Sequence, residues 1–219
     1  MREGQAILIM DIRECSIPRE LAHLPISYTA PSWDQIYDML IELAKRVKES
    51  GFKPDLIVGV CRGGWAPARV MSDLLENANT ASIRIEFYLA PGVTARKPVI
   101  SQAIMVPVKG VNVLVVDDVA DTGESLKVAV EHLDVCGAKA IRTATVYYKP
   151  QSIFKPDFFI IQTEQWVVFP WERLETTRRL LDQAQKRGQS LDSVKETMLE
   201  AGIGSGVVEK LIDYAQNYR

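Results

Sequence analysis

Hydrophobic positions along this chain change rhythm at intervals, and those changes mark out its elements. From Ser32, apolar residues recur at Ile36, Leu40, Leu43 and Val47, the three-and-four spacing of an amphipathic helix. Ser32 and Gln35 stand at capping-box spacing before it, and Gly51 is placed to stop it. Asp55–Val60 is then a short apolar run of the kind found in strands buried on both faces. The turn Cys61-Arg62-Gly63-Gly64 leads into a helix predicted over Ala66–Leu75. Further strands are predicted at Ile83–Tyr88, Val111–Val116, Ile141–Tyr147 and Phe158–Ile161, with a helix over Ser125–Cys136. Such alternation predicts an α/β fold, a mostly parallel twisted sheet with helices on both faces. Residues 89–110 show no period and hold Pro91, Gly92, Pro98, Pro107 and Gly110. They read as a long loop, and length of that kind points to function. In residues 1–30, Ala6–Ile12 reads as an edge strand, and Pro18 and Pro25 suggest an extended arm.

Past Leu174 the pattern becomes wholly helical. Leu174, Thr177, Leu181 and Ala184 share one face, Gly188 stops that helix, and Ser190 can cap a second with Leu191, Val194 and Met198 inside. Gly202 stops the second, and Ser205 can cap a third carrying Val207, Leu211, Ile212 and Ala215. A three-helix unit of this size is expected to need support from the main domain. The stretch Gly202-Ile203-Gly204-Ser205-Gly206 has a phosphate-loop look, but no strand precedes it, so it reads as a junction between helices.

Composition narrows the function classes. The 219 residues are 47% hydrophobic and 25% charged, ordinary for a globular chain with a full core. A formal net charge of −2 argues against a bulk polyanion binder, so no nucleic-acid partner is expected. No apolar run is long enough to span a bilayer, and Ala6–Met10 is too short for a secretory signal. Cys15, Cys61 and Cys136 lack metal-ligand spacing and read as reduced thiols of a cytoplasmic protein. His23 and His132 have no ligand partner at helical spacing.

The stretch richest in chemistry is Val113-Leu114-Val115-Val116-Asp117-Asp118-Val119-Ala120-Asp121-Thr122-Gly123-Glu124-Ser125. An apolar strand carries two adjacent carboxylates towards its carboxyl end, where open α/β sheets bind ligands. The helix start that follows, with Gly123 and two hydroxyls, suits a phosphate monoester. Like charges repel, so the carboxylates instead suit donors such as ribose hydroxyls, or a magnesium ion.

This pattern resembles the phosphoribosyl pyrophosphate motif of type I phosphoribosyltransferases, and the resemblance extends over residues 32–172. It implies that Asp117 and Asp118 face the ribose hydroxyls and that Asp121, Thr122, Gly123, Glu124 and Ser125 bind the 5′-phosphate. Asp121 would also serve as general base. Cys61, Arg62, Gly63 and Gly64 stand where the family has its pyrophosphate loop. There the glycines admit close backbone approach, Arg62 offers a charge-assisted fork, and a cis peptide would fall between Cys61 and Arg62. Lys149 matches the lysine that donates to O6 of 6-oxopurines. The run Trp166-Val167-Val168-Phe169-Pro170-Trp171-Glu172 is similar to one in bacterial xanthine-guanine enzymes. By that likeness Trp166 stacks on the base, Val167 reads it through main-chain groups, and Glu172 stands where the family usually has an aspartate ligand of magnesium. Asp117 is the other candidate magnesium ligand. Residues 89–106, with Arg96 and Lys97, match the family's mobile catalytic loop in position.

The resemblance thus implies a purine phosphoribosyltransferase of nucleotide salvage. It would use Mg²⁺ and join phosphoribosyl pyrophosphate to hypoxanthine, guanine or xanthine, as a cytoplasmic homodimer. The expected division is a catalytic domain over 1–173, including an arm (1–30) and a base-binding segment (149–172), and a helical domain over 174–219. Adenine is the nearest alternative base, because some archaeal adenine enzymes resemble this branch and carry a C-terminal helical extension. Lys149 disfavours it, since the 6-amino group is itself a donor. A third reading is a regulator that senses phosphoribosyl pyrophosphate and binds DNA. Seven basic and seven acidic side chains in residues 175–219 leave no basic footprint for it.

Overall fold

The computed structural model describes residues 27–88 and 97–218. The expectations for the strand at 6–12, for Pro18, Pro25, Cys15 and His23, and for Pro91, Gly92 and Arg96 lie outside these residues. In chain order the elements are β1 (Tyr28–Thr29), α1 (Trp33–Glu49), β2 (Leu56–Cys61), α2 (Trp65–Leu74), β3 (Thr80–Tyr88), β4 (Lys97–Gln102) and β5 (Asn112–Ala120). Then come α3 (Glu124–Val135), β6 (Ala140–Tyr148), β7 (Phe158–Gln162), β8 (Trp166–Val167), α4 (Arg173–Arg187), α5 (Leu191–Glu200) and α6 (Ser205–Asn217). They fall into two compact units. One is Pro31–Glu164, and the other joins the described residues of Met1–Ala30 to Gln165–Arg219. The grouping places Tyr28–Thr29 and 165–173 with the terminal helices, whereas the sequence suggests a division at 173/174.

The larger unit is a six-stranded sheet in the order β4-β3-β2-β5-β6-β7. All pairs are parallel except β3 with β4. Alternate residues of β2 and β5 feed opposite faces, as the two-residue period requires. Val58, Val60, Val113 and Val115 join Leu126, Ala129 and Leu133 of α3 in one core. On the other face Gly59 lies against α2, where an added Cβ would meet Ala68 Cβ at 3.0 Å. The helix after Ser32 starts on a complete capping box: Gln35 N–H donates to Ser32 Oγ (3.1 Å) and Ser32 N–H to Gln35 Oε1 (2.8 Å). Its buried stripe is Ile36, Leu40, Leu43, Ala44 and Val47.

Two expectations need correction here. Residues 97–102 are not loop but the edge strand β4. Pro98 hid it, since proline cannot donate to a ladder and is tolerated only at an edge. Its partner Phe87 lies on β3, and among the described residues no strand pairs with the outer side of β4. β5 also runs to Ala120, past both carboxylates, with Asp117 opposite Thr145 in register.

The smaller unit holds the parallel pair β1–β8 and three helices around one core of Ala30, Val168, Ala184, Val194, Met198, Ala201, Ile203, Val208 and Ile212. Gly188 and Gly202 end α4 and α5 with φ of 65° and 105°, and Ser190 accepts from Ser193 N–H at the start of α5. The cap of α6 is Gly204, with Ser205 as the first helical residue. Leu191 and Val207 are exposed at 38% and 41%, so the buried face begins at Val194 and Val208 instead. No described helix is long and apolar enough to cross a membrane.

Candidate active site

The order of strands decides where ligands can bind. From β2 the chain steps outward to β3 and β4, then crosses back to β5 and continues outward through β6 and β7. The switch point therefore lies between β2 and β5, and ligands of open α/β sheets bind outside the carboxyl ends of strands at such points. Both loops singled out in the sequence begin there.

The turn after β2 is shaped by the absence of side chains. A Cβ on Gly63 would lie 2.6 Å from Cγ of Asp118, and one on Gly64 would lie 2.7 Å from Val60 O. Real Cβ atoms do not come so close, so a side chain at Gly64 would press on fixed backbone, and one at Gly63 would require the Asp118 carboxylate to move. The Cys61–Arg62 peptide is cis, at the bond where the resemblance implies one. Gly64 N–H donates to Val60 O (2.8 Å), so this glycine's amide is committed to the backbone. Arg62 is exposed, whereas Cys61 is buried and free of disulfides. Burial pushes the Cys61 thiol above its ordinary pKa, which favours the thiol over the thiolate.

The segment from Asp117 to Ser125 combines charge with an open helix end. Asp117 and Asp118 are each 7% exposed. Asp117 Oδ1 accepts Asp118 N–H (3.0 Å), and Asp118 Oδ1 accepts Val119 N–H (2.8 Å). Burial, reinforced by the neighbouring Asp118 charge, raises the Asp117 pKa well above its ordinary value. Gly123, at φ 80°, is the N-cap of α3 and offers no side chain to cap it. Thr122 Oγ1 accepts Glu124 N–H at 3.3 Å. Glu124 and Ser125 open the helix, half-buried. The helix dipole and first-turn amides at such an end favour an anion.

Lys149 directly follows β6, beside this cradle. It is 5% exposed, and its ammonium donates to Glu164 O at 3.2 Å. Burial lowers its pKa, while Asp121 and Glu164 act in the opposite direction. Lys149 N–H donates to Ala120 O (3.0 Å), and Ile153 N–H donates to Thr122 O (2.9 Å), tying residues 149–153 to the phosphate turn. Asp121 is half-buried and accepts from Gln151 Nε2 at 3.3 Å. The larger unit thus brings together Cys61–Gly64, Asp117–Ser125 and Lys149.

The remaining candidates belong to the smaller unit. Trp166 N–H donates to Ser27 O and Val168 N–H to Thr29 O, so β8 is held by β1. Val167 is buried, Trp166 is half-buried, and Trp171 stacks on Phe169 with ring centroids 5.0 Å apart. Glu172 is the N-cap of α4, and its Oε1 accepts Phe169 N–H at 3.4 Å.

Comparison with known proteins follows the same outline. Residues 32–173 match the family model described as "Phosphoribosyl transferase domain". The chain belongs to the phosphoribosyl transferase family. A purine phosphoribosyltransferase from Pyrococcus horikoshii is 38% identical, with a TM-score of 0.61 over 67% of this chain and 94% of that one. A xanthine-guanine phosphoribosyltransferase from Ruegeria sp. is 32% identical over 153 residues, covering 64% of this chain and 83% of its own. A xanthine-guanine-hypoxanthine phosphoribosyltransferase from Helicobacter pylori is 25% identical, with a TM-score of 0.59 over 68% of this chain and 97% of that one.

As a phosphoribosyltransferase the chain carries contributors that sequence reading missed. Gln151 holds Asp121, and a Cβ on Gly123 would lie 2.6 Å from Phe154 N, so the turn after β6 also fixes the phosphate loop. Their only sequence signal is proximity to Lys149. The donor set for magnesium is sparse. Among the described residues no three His, Cys, Asp or Glu side chains cluster to hold a metal. In the larger unit burial raises the Asp117 pKa, and in the smaller unit Glu172 Oε1 already accepts Phe169 N–H. Such surroundings fit an ion that arrives on substrate oxygens and meets at most one or two carboxylates.

Proposed function

We propose that this phosphoribosyltransferase acts in purine salvage. It joins N9 of a 6-oxopurine to C1′ of phosphoribosyl pyrophosphate, giving a nucleoside 5′-monophosphate and pyrophosphate. The observation that carries the choice of base is the buried ammonium of Lys149, set within electrostatic reach of Asp121. A fixed donor suits a carbonyl at C6 and opposes an amino group.

The turn at Arg62–Gly64 receives the leaving pyrophosphate, and the start of α3 with Thr122, Gly123 and Ser125 takes the 5′-phosphate. Asp117 and Asp118 orient the ribose hydroxyls. Asp121 removes the proton from the purine imidazole as the C1′–oxygen bond breaks and the C1′–nitrogen bond forms. The reaction passes through an oxocarbenium-like state, so positioning and preorganised charge supply most of the acceleration. By the family resemblance Asp117 and Glu172 are the residues that would hold magnesium, and the ion would neutralise the charge of the pyrophosphate. The resemblance supports Trp166 as the stacking residue and Val167 as the main-chain reader of the base. A cytoplasmic homodimer is part of the same reading.

Steady-state rates with phosphoribosyl pyrophosphate and each of adenine, hypoxanthine, guanine and xanthine test the proposal. An oxopurine should exceed adenine in kcat/KM by at least about 100-fold, as expected when a fixed donor meets the wrong partner. Equal or better turnover of adenine would overturn it.

A further inference from the structure

We propose that Arg179, on the helical α4, is a positioning residue for the purine base, acting through Trp166. The inference rests on the reading of Trp166 as the base-stacking residue. The Arg179 guanidinium lies over the Trp166 ring, 4.6 Å from its centroid. A ring covered on one face by a planar cation can take a base only on the other, and the cation fixes the plane that the base would meet.

The surroundings of Trp166 show why such a clamp is needed. Its one polar atom, Nε1, is buried and has no hydrogen-bond partner among the described residues. No hydrogen bond at the ring edge therefore sets its rotation. The backbone is secured by β1, where Tyr28 lies opposite Trp166 in register and Ala30 N–H donates to Ala201 O (2.7 Å). Trp166, like Tyr28, Leu180 and Leu181, is a partly buried residue packed against the helical core. The Arg179 charge also reaches the Tyr28 phenol, whose burial is the larger influence on it. One side chain of α4 thus addresses both aromatic residues of the β1–β8 pair. This gives the helical extension a task in base selection, through residues placed entirely within its own compact unit.

Arg179→Ala, Arg179→Lys, Trp166→Ala and the double variant Trp166→Ala/Arg179→Ala test this in the full-length enzyme. The measurements are KM for the base, KM for phosphoribosyl pyrophosphate, kcat and the thermal midpoint. Arg179→Ala should raise the base KM about 3- to 10-fold, the range of a partly desolvated cation–π contact, and leave the phosphoribosyl pyrophosphate KM and the midpoint in place. Arg179→Lys, which keeps the cation, should recover part of that loss. The double variant should be no worse for the base than Trp166→Ala alone. If both KM values rise together, or the base KM moves less than twofold, Arg179 is a packing residue and the inference fails. If Trp166→Ala leaves the base KM unchanged, the stacking reading itself fails. If Trp166→Ala raises it and Arg179→Ala does not, only the role of Arg179 is lost.

Discussion

The two turns at the switch point solve different problems with different materials. The turn after β2 works by omission. Gly64 lies so close to the Val60 and Val116 backbone that no side chain fits, and one at Gly63 would have to displace the Asp118 carboxylate. The segment from Asp117 to Ser125, at the end of β5 and in the turn after it, works by what its side chains bring: four carboxylates, two hydroxyls and a helix end that Gly123 leaves uncapped. The first should therefore fail sterically and weaken the fold. The second should fail chemically, with the fold intact. The contrast meets at one pair of residues, because the space emptied at Gly63 is the space that the Asp118 carboxylate fills.

The largest expected effect is on the chemical side. Asp121→Asn should lower kcat on the order of 10²- to 10⁴-fold, the range for a positioned general base, with phosphoribosyl pyrophosphate affinity retained. Turnover near wild type would remove Asp121 from the mechanism. Lys149→Ala should come next. Losing a buried charged donor should cost the oxopurine about 10- to 100-fold in kcat/KM and narrow its lead over adenine, while phosphoribosyl pyrophosphate binding holds. An unchanged base KM would take away the main support for a 6-oxopurine substrate.

Gly64→Ala probes the steric side. Its methyl group would press on backbone that cannot swing aside, so urea unfolding should show a loss of about 1–3 kcal/mol, as for other overpacked interiors. A stable Gly64→Ala protein with impaired catalysis would erase the distinction between the two turns.

The smallest effect sharpens the comparison through pH. Burial raises the folded-state pKa of Asp117 above its ordinary 3.8, so its favourable contribution to folding is fully present below that value. The contribution is lost as pH rises through the folded-state pKa. Asp117→Asn keeps an oxygen to accept Asp118 N–H and cannot ionise. The thermal midpoint of the free enzyme should therefore rise at neutral pH relative to the parent, and the gain should shrink towards pH 4, even as activity falls. A midpoint difference independent of pH would show that Asp117 is not held towards its neutral form.

Much of this was legible in the residue pattern because it depends on local chemistry. The capping box at Ser32 and Gln35, the buried runs of β2 and β5, and the stops at Gly188 and Gly202 are all decided within a few residues, by hydrogen bonds and allowed dihedrals that neighbours settle between them. The phosphate motif was legible for the same reason, since a strand, a turn and a helix start form one continuous segment. Relations between distant segments were not. Only the sheet order sets β5 beside β2, and only that neighbourhood brings Gly63 against a side chain 55 positions away in sequence, that of Asp118. Pairing with β3 overrode the proline that made 97–102 look like loop. The burial of Lys149, the bond from Gln151 to Asp121 and the guanidinium of Arg179 over Trp166 likewise belong to the tertiary structure. Each depends on desolvation or on a contact between separate elements, and neither is encoded in the spacing of residues along a single one.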